Sequence, residues 1–272
     1  MKDGKSKYLS IAFSLAAIVV SVAATGGDRA NADTTAELSK KLANPIAAMI
    51  SVPFQLNYDH GYGSEDGVAF TLNVQPVIPF ALNDEWNLIS RTIMPIKSQS
   101  DIFGNSGTQT GIGDIVQSFW LSPIAPTSSG LIWGIGPVIY LPTATDSLLG
   151  AGEWGAGPTV VALTQNGPWT IGAMANHIWS FDNGDTINTT FLQPFVSYAL
   201  PDAWSLTLTS ESTYNWNAEE WQVPINAAVS KLVQIGGQPI SFQAGVGYYA
   251  NSTENGPDDW RARLAVTYLF PK

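Results

Sequence analysis

The amino-acid sequence predicts an all-β fold: a closed antiparallel transmembrane β-barrel of about 12 strands, with short periplasmic turns and longer extracellular loops. Segments of about 10 residues alternate between apolar and polar side chains, as the strands of such barrels do. Short turn-forming connections and longer polar connections broadly alternate between these segments. Charged residues make up only 12% of the chain, whereas it holds 10 Trp, 9 Tyr and 11 Phe. Few charges and many aromatic rings are typical of a surface that faces lipid.

The beginning of the chain has the pattern of an export signal. Several lysines precede an apolar run, Tyr8–Ala24, and Ala30-Asn31-Ala32 has the small-residue pattern of a cleavage site. We therefore expect residues 1–32 to be a signal peptide, with a retained anchor helix as the alternative. Residues 33–44 then form a short periplasmic segment or a small plug of the lumen, and residues 45–272 form the barrel.

Strand-like alternation is clearest in the segment that begins at Trp204. Apolar side chains such as Leu206 and Leu208 share one face, and polar side chains such as Thr207 and Glu211 share the other, because strand side chains alternate with period two. The same reasoning predicts strands at residues 48–59, 70–80, 86–96, 111–121, 131–141, 154–163, 169–181, 188–199, 204–216, 221–233, 240–250 and 260–270.

Two observations favour a membrane barrel over the alternative, a soluble sandwich or lipocalin-like barrel. An even number of strands returns both termini to the periplasm, as single-chain bacterial barrels require. The last strand places Tyr268 and Phe270 on one apolar face, and a terminal aromatic of this kind is the usual insertion signal of outer-membrane barrels. Two connections fit the alternation poorly, because 122–130 is long for a turn and 182–187 is short for a loop.

Several separate segments resemble one family of outer-membrane proteins. They are Asn44-Pro45, Ile50-Ser51-Val52-Pro53-Phe54-Gln55, Gln75-Pro76-Val77-Ile78-Pro79, Trp86-Asn87-Leu88-Ile89-Ser90-Arg91, Gly111-Ile112-Gly113-Asp114, Gly155-Ala156-Gly157-Pro158, Leu192-Gln193-Pro194-Phe195, Val223-Pro224 and Leu269-Phe270-Pro271-Lys272. This family is variously labelled neuromedin U-like, transporter or meta-pathway phenol-degradation-like. The resemblance covers essentially all of the predicted mature chain. It implies an outer-membrane barrel with a transport role, and it supplies no substrate.

If the apolar faces point to lipid, a set of charged and amide side chains falls on the lumenal faces. The predicted lumen-lining residues are Arg91, Glu211, Arg261, Arg263, Gln55, Asn57, Asn73, Gln75, Asn226 and Gln243. One interpretation is a polar pore whose arginines favour anionic or hydrogen-bonding solutes. The other is an ion-pair network that fills the lumen and conducts nothing, since a barrel of this size lies between small filled barrels and wide porins.

Prolines recur inside the predicted strands. They are Pro53, Pro76, Pro95, Pro137, Pro158, Pro194 and Pro224. Each lacks the backbone N–H of a ladder hydrogen bond, so each should interrupt the pairing or mark a bulge. Because an unpaired carbonyl is costly in lipid, two interpretations follow. The breaks form kinks or lateral openings for a hydrophobic solute, or the prolines lie near strand ends and shape the barrel.

An outer-membrane enzyme acting on lipids is an alternative with weak support in the sequence. His177 and Ser180 are three residues apart, so strand parity places them on opposite faces, whereas a nucleophile and its base must lie within hydrogen-bond reach. We therefore predict no catalytic residues, no cofactor and no metal site. A net charge of −10 also excludes the basic surface that a nucleic-acid partner requires.

The sequence as a whole predicts an outer-membrane channel for the passive uptake of small solutes, with hydrophobic or aromatic solutes preferred. A structural barrel with a closed lumen is the second interpretation. The predicted partners are outer-membrane lipids, lipopolysaccharide and a small-molecule solute, while the oligomeric state stays open.

Overall fold

The computed structural model describes residues 29–181 and 186–271, with side chains from Thr35 onward. Within these residues one α-helix, α1, spans Arg29–Leu42, and two short 3-10 helices span Gly63–Glu65 and Pro201–Ala203. The strands are β1 Ile50–Tyr62, β2 Gly67–Val74, β3 Val77–Ala81, β4 Trp86–Ser100, β5 Thr108–Ile112, β6 Ile115–Pro123, β7 Leu131–Leu141, β8 Gly155–Asn166, β9 Trp169–Ser180, β10 Asn188–Ala199, β11 Trp204–Ser210, β12 Ser212–Asn215, β13 Glu220–Ile235, β14 Gln238–Asn251 and β15 Trp260–Phe270.

These segments form the twelve strands of one barrel, because three strands are each interrupted once. β2 and β3 pair with the same neighbours, β1 and β4. β5 and β6 both continue along β4, and β11 and β12 lie together between β10 and β13. The interruptions fall at Gln75-Pro76, at Gly113-Asp114 and at Glu211.

The first and last strands close the sheet into a barrel. β1 pairs antiparallel with β15, from Ile50 opposite Phe270 to Tyr58 opposite Ala262. Closure removes the free edges that an apolar sheet would otherwise expose and pairs the backbone within lipid. The predicted all-β closed antiparallel barrel is confirmed. None of the helices in residues 29–181 and 186–271 combines the length and the hydropathy that crossing a bilayer requires.

Side-chain exposure on β11 shows how the alternation of the sequence builds the wall. Leu206 and Leu208 are 48% and 49% exposed, whereas Ser205 on the same strand is 6% exposed. Large aliphatic side chains on the outside and small polar ones inside invert the arrangement of a water-soluble domain. Lipid, rather than water, is therefore the solvent that this outer surface fits.

Several strands extend beyond their predicted ends on the side of the longer connections. β4 continues to Ser100, although the sequence predicted an end at residue 96 and a loop from Lys97. The extra residues pair with β5, where Gln99 lies opposite Gln109. This polar extension carries no apolar alternation, so the pattern that located the strand could not show its end. Of the predicted connection 182–187, residues 182–185 lie outside the described residues.

Candidate functional site in the barrel lumen

The first part of the lumenal site is an ion pair between two strands that are not neighbours. Arg263 on β15 donates from Nη1 and Nη2 to the two carboxylate oxygens of Glu211 at 2.8 and 2.7 Å. Its Nε donates to Asn57 Oδ1 on β1 at 2.7 Å. Glu211 stands in the gap between β11 and β12, where its own N–H points to the carbonyl of Pro224 at 3.4 Å. Such a bidentate pair is strong and geometrically specific.

Arg261 forms a second ion pair, one step further along the same face of β15. Its Nε lies 2.9 Å from Asp59 Oδ1, and its Nη1 lies 3.6 Å from Glu211 Oε2. The hydroxyl of Tyr249 donates to Asp59 Oδ1 at 2.7 Å, and the Arg261 guanidinium lies 5.4 Å from the centre of the Tyr249 ring. Asp59 and Tyr249 were absent from the predicted site residues, although alternation along β1 places Asp59 on the lumenal face.

Arg91 on β4 is held differently from the other two arginines. Its Nη2 donates to the amide oxygen of Gln75 at 2.6 Å, and its Nη1 lies 3.8 Å from Met174 Sδ on β9. Gln75 is the residue at which the second strand is interrupted. Both partners of Arg91 are uncharged.

The remaining predicted lumenal residues lie on the same inner face. Asn73 is opposite Gln55 on β1, and residues directly opposite in an antiparallel ladder share a face. Asn226 is buried on β13 and donates to Thr209 O at 3.5 Å, while its Oδ1 has no hydrogen-bond partner. Gln55 and Gln243 border a cavity in the lumen. The structure thus brings Arg261, Arg263, Glu211 and Asn57 into one cluster, and the glutamines lie around it.

The cavity has a volume of about 270 Å³ and a mixed lining. Its charged side chains are Arg91, Glu211 and Arg263. Apolar side chains border it as well, and they include Val77, Met174 and Phe195. These three belong to or pack on a cluster that also contains Ile46, Ile89, Trp120, Val161 and Leu163.

The segment that precedes β1 forms part of the cavity boundary. Leu42, Ala43, Asn44, Pro45, Ala47 and Met49 all border the cavity. Leu38 packs with Met49, Leu232 and Leu269 in a buried cluster. Ser39 Oγ is 3.0 Å from Ser205 Oγ, and Gln165 Nε2 donates to Lys40 O at 2.9 Å.

The prolines fall into two groups according to their neighbours in the sheet. Pro76 lies in the gap between β2 and β3, and Pro224 lies at a register shift of β13. Pro137 and Pro158 face each other across β7 and β8, and the pairing of each strand with its other neighbour is discontinuous at this level. Pro53, Pro95 and Pro194 lie within continuous strands, opposite Thr267, Asn73 and Ala173.

A buried aspartate near the extracellular end anchors a long loop. Asp114 accepts backbone N–H groups of Ala144, Ala151 and Gly152 at 2.9, 2.6 and 3.3 Å. Lys97 Nζ donates to the carbonyl of Leu149 in the same loop at 3.0 Å. Asp114 belongs to one of the segments that resemble the family, and its role depends on a loop fold that no local sequence pattern revealed.

The histidine that the enzyme alternative requires lies in an aromatic setting. His177 Nδ1 is 2.7 Å from Thr190 Oγ1, and its ring centre lies 4.0 Å from that of Trp179, with the two planes tilted by 46°. Ser180 Oγ lies 3.5 Å from Ile187 O, to which it donates. Within the described residues the two side chains are not hydrogen-bonded to each other, so no nucleophile–base contact forms between them.

Comparisons with known proteins agree with the geometry. The family described as "Putative MetA-pathway of phenol degradation" matches residues 51–272. A search of curated protein sequences finds no match. Among solved structures, an outer membrane channel from Pseudomonas putida F1 superposes with a TM-score of 0.65 at 17% identity, covering 82% of this chain and 96% of that chain. At this identity the likeness shows a shared fold.

Two further solved structures are more distant. The KdgM porin gives a TM-score of 0.47 at 10% identity, covering 81% of this chain and 99% of that chain. The CymD monoaromatic hydrocarbon channel gives 0.46 at 9% identity, covering 86% and 93%. The family match spans nearly the whole barrel, so the chain belongs to the family described as "Putative MetA-pathway of phenol degradation".

Proposed function

We propose that this barrel is an outer-membrane channel for the passive uptake of small solutes with substantial apolar surface. The observation that carries the proposal is the lumenal cavity of about 270 Å³. Small-molecule sites are concave and mostly apolar, with a few polar groups that fix orientation. Here Val77, Met174 and Phe195 provide apolar contacts, while Arg91 and Gln75 provide polar ones.

The ion pairs argue against a wide, water-filled pore. The Arg263–Glu211 contact spans strands separated by β13 and β14, and the Arg91–Met174 contact reaches from β4 to β9. Side chains that meet across the lumen narrow it, as in barrels smaller than the porins. A solute that exploits apolar contacts fits this lumen better than a hydrated ion or sugar does.

The N-terminal segment is part of the same proposal. Residues 33–44 act as a small plug at the periplasmic end, because Leu42, Ala43 and Asn44 border the cavity. Removal of residues 35–44 is expected to raise the ion conductance of the barrel several-fold, since it opens the periplasmic side of the cavity.

Export to the outer membrane completes the proposal. Residues 1–28 lie outside the described residues, and we propose that residues 1–32 are a cleaved signal peptide. Protein purified from outer membranes should then begin at Asp33 in N-terminal sequencing, whereas a retained segment 1–32 would contradict this part. Contact with outer-membrane lipids and lipopolysaccharide follows from the apolar outer wall and the polar loops.

Single-channel recording in planar bilayers tests the transport function. The complete mature protein should give a small conductance, and benzamide, a neutral one-ring solute, should interrupt the current when it occupies the cavity. Glucose, whose surface is dominated by hydroxyl groups, should interrupt it far less. Phe195→Gln should weaken the interruption, and Phe103→Gln, at an exposed loop residue, should leave it unchanged.

The two interpretations of the lumen give opposite results in this experiment. If the protein is a structural barrel with a closed lumen, folded, heat-modifiable protein should show no channel conductance, both with and without residues 35–44. That result would overturn the channel function. Equal interruption by benzamide and glucose would overturn the preference for apolar solutes and favour a plain polar pore.

A further inference from the structure

The charges that border the lumenal cavity do not balance. Of its three charged side chains, Glu211 accepts hydrogen bonds from Nη1 and Nη2 of Arg263, at 2.8 and 2.7 Å. These two residues neutralise each other. Arg91 remains, so the cavity carries one net positive charge.

Within residues 35–181 and 186–271, Arg91 has no carboxylate at ion-pair distance. Its contacts are the amide oxygen of Gln75 at 2.6 Å and the thioether sulfur of Met174 at 3.8 Å. Arg261 and Arg263, by contrast, each contact a carboxylate within 3 Å. A guanidinium has five N–H donors, and the two contacts of Arg91 leave donors for a further partner.

The position of Gln75 gives Arg91 a fixed orientation. Gln75 is buried, and it lies where β2 ends and Pro76 begins the gap before β3. The short hydrogen bond from Nη2 holds the guanidinium plane from one side. A guanidinium held in this way matches the two oxygens of a carboxylate and loses little further freedom when it binds one.

The surroundings of Arg91 fit the apolar body of such an anion. Met174 touches the guanidinium directly, and Val77 and Phe195 border the same cavity. Thioether sulfur makes favourable contacts with aromatic rings. A volume of about 270 Å³ lies just below the usual range of drug-sized pockets, which favours a single ring or a short chain.

We propose that the cavity is a binding site for small monocarboxylates with a compact apolar body, and that Arg91 holds the carboxylate while Val77, Met174 and Phe195 contact the body. The inference rests on the proposed function, since it names the class of solute that occupies the channel. It differs from a general anion preference of the pore, because Arg261 and Arg263 are already neutralised and contribute little.

Three isosteric ligands test the inference without any change to the protein. Benzoate, benzamide and benzamidinium have nearly the same shape and carry charges of −1, 0 and +1. Isothermal titration of the full mature chain in lipid nanodiscs should show benzoate binding at least about 10-fold more tightly than benzamide, as a charge-assisted hydrogen bond predicts. Benzamidinium should bind most weakly.

Variants then assign the preference to one side chain. Arg91→Gln should reduce the benzoate-to-benzamide ratio to about 1 by removing the unpaired charge, and Arg91→Lys should keep part of it, because the charge stays and the fork is lost. Lys231→Gln is the matched control, since Lys231 lies against the Trp204 ring and does not border the cavity. It should leave the ratio unchanged.

The outcomes separate the inference from the channel function. Equal binding of the three ligands, or a benzoate preference that persists in Arg91→Gln, would overturn the carboxylate site and leave the apolar channel standing. Absence of binding by all three would overturn both. If Arg91→Gln fails to become heat-modifiable, the ligand series on the unmodified chain still decides the question.

Discussion

Replacing Glu211 with glutamine tests how much the lumenal ion pairs stabilise the barrel. Glu211 Oε2 lies 2.7 Å from Arg263 Nη2 and 3.6 Å from Arg261 Nη1. Two unit charges 2.7 Å apart attract each other by about 6 kcal/mol at an effective dielectric constant of about 20. Desolvation of both groups offsets part of this attraction, and a glutamine still accepts one hydrogen bond.

The net loss in the free energy of unfolding caused by Glu211→Gln should lie at the lower end of the range for buried ion pairs. Removal of one partner typically costs about 3–5 kcal/mol, because the other charge is left buried and unpaired. The side chain of Arg263 is only 5% exposed, whereas that of Glu211 is 21% exposed. We therefore expect Glu211→Gln to lower the free energy of unfolding by about 3 kcal/mol.

Urea titration of the protein refolded into lipid vesicles, followed by tryptophan fluorescence, measures this loss. Glu85→Gln is the control, because Glu85 lies in an exposed turn and should change stability by less than about 0.5 kcal/mol. The double variant Glu211→Gln, Arg263→Gln should be more stable than the sum of the single losses by about 2 kcal/mol. A loss under about 1 kcal/mol in Glu211→Gln, or strict additivity, would refute the reasoning.

Three further predictions concern other parts of the lumen. Tyr249→Phe removes the 2.7 Å hydrogen bond to Asp59 and should cost about 1 kcal/mol in the same urea titration; an unchanged midpoint would contradict it. Asp114→Asn should accelerate proteolytic cleavage within residues 142–153, as judged by mass spectrometry, because one amide oxygen cannot replace two carboxylate oxygens that accept three N–H groups; the barrel itself should stay heat-modifiable. Leu232→Ala, at a side chain 2% exposed, should cost about 2–4 kcal/mol by leaving a cavity, and a smaller loss would mean that the N-terminal segment collapses into the gap.

The fold could be predicted from the sequence because its main determinant is local. In a membrane barrel each strand is long, and its side chains alternate between lipid and lumen with period two. On β11, for example, the positions of Leu206 and Leu208 identify the lipid face, and those of Ser205 and Thr207 identify the lumenal face. The end of β4 was missed, since the polar residues 97–100 carry no such alternation.

The contacts within the lumen could be predicted only as a set of residues on one face. Arg263 and Glu211 are separated by 52 residues, and Arg91 and Met174 by 83. Which of them meet depends on the stagger of the strands and on the curvature of the wall. Neither quantity is encoded in the pattern of any one segment. Alternation along β9 places Met174 on the lumenal face, opposite the exposed Trp169 and Ile171, but an apolar side chain on that face gave no signal that it contacts Arg91.

The interruptions of three strands connect the prolines to the lumenal site. At each interruption, a backbone N–H of the interrupted strand donates a hydrogen bond to the carbonyl oxygen of a proline on the neighbouring strand. Pro53 O accepts the N–H of Gln75 at 2.9 Å, and Pro95 O accepts that of Gly113 at 2.8 Å. At the third interruption, Pro224 O accepts the N–H of Glu211 at 3.4 Å and also the hydroxyl of Ser210 at 2.9 Å. These carbonyls are therefore satisfied, which the lipid environment requires.

Each interruption also positions one side chain that binds another part of the protein. Gln75 orients Arg91, Asp114 anchors the loop of residues 142–153, and Glu211 binds Arg263. A regular strand would hold its side chains at a fixed pitch, and a break frees one residue to reach further into the lumen. This arrangement favours the interpretation that the prolines shape the barrel over the one in which they open its wall. On this view Pro53→Ala and Pro95→Ala should act on the lumen rather than on the lipid face, by letting a regular ladder reform and withdrawing Gln75 or Asp114 from its partner.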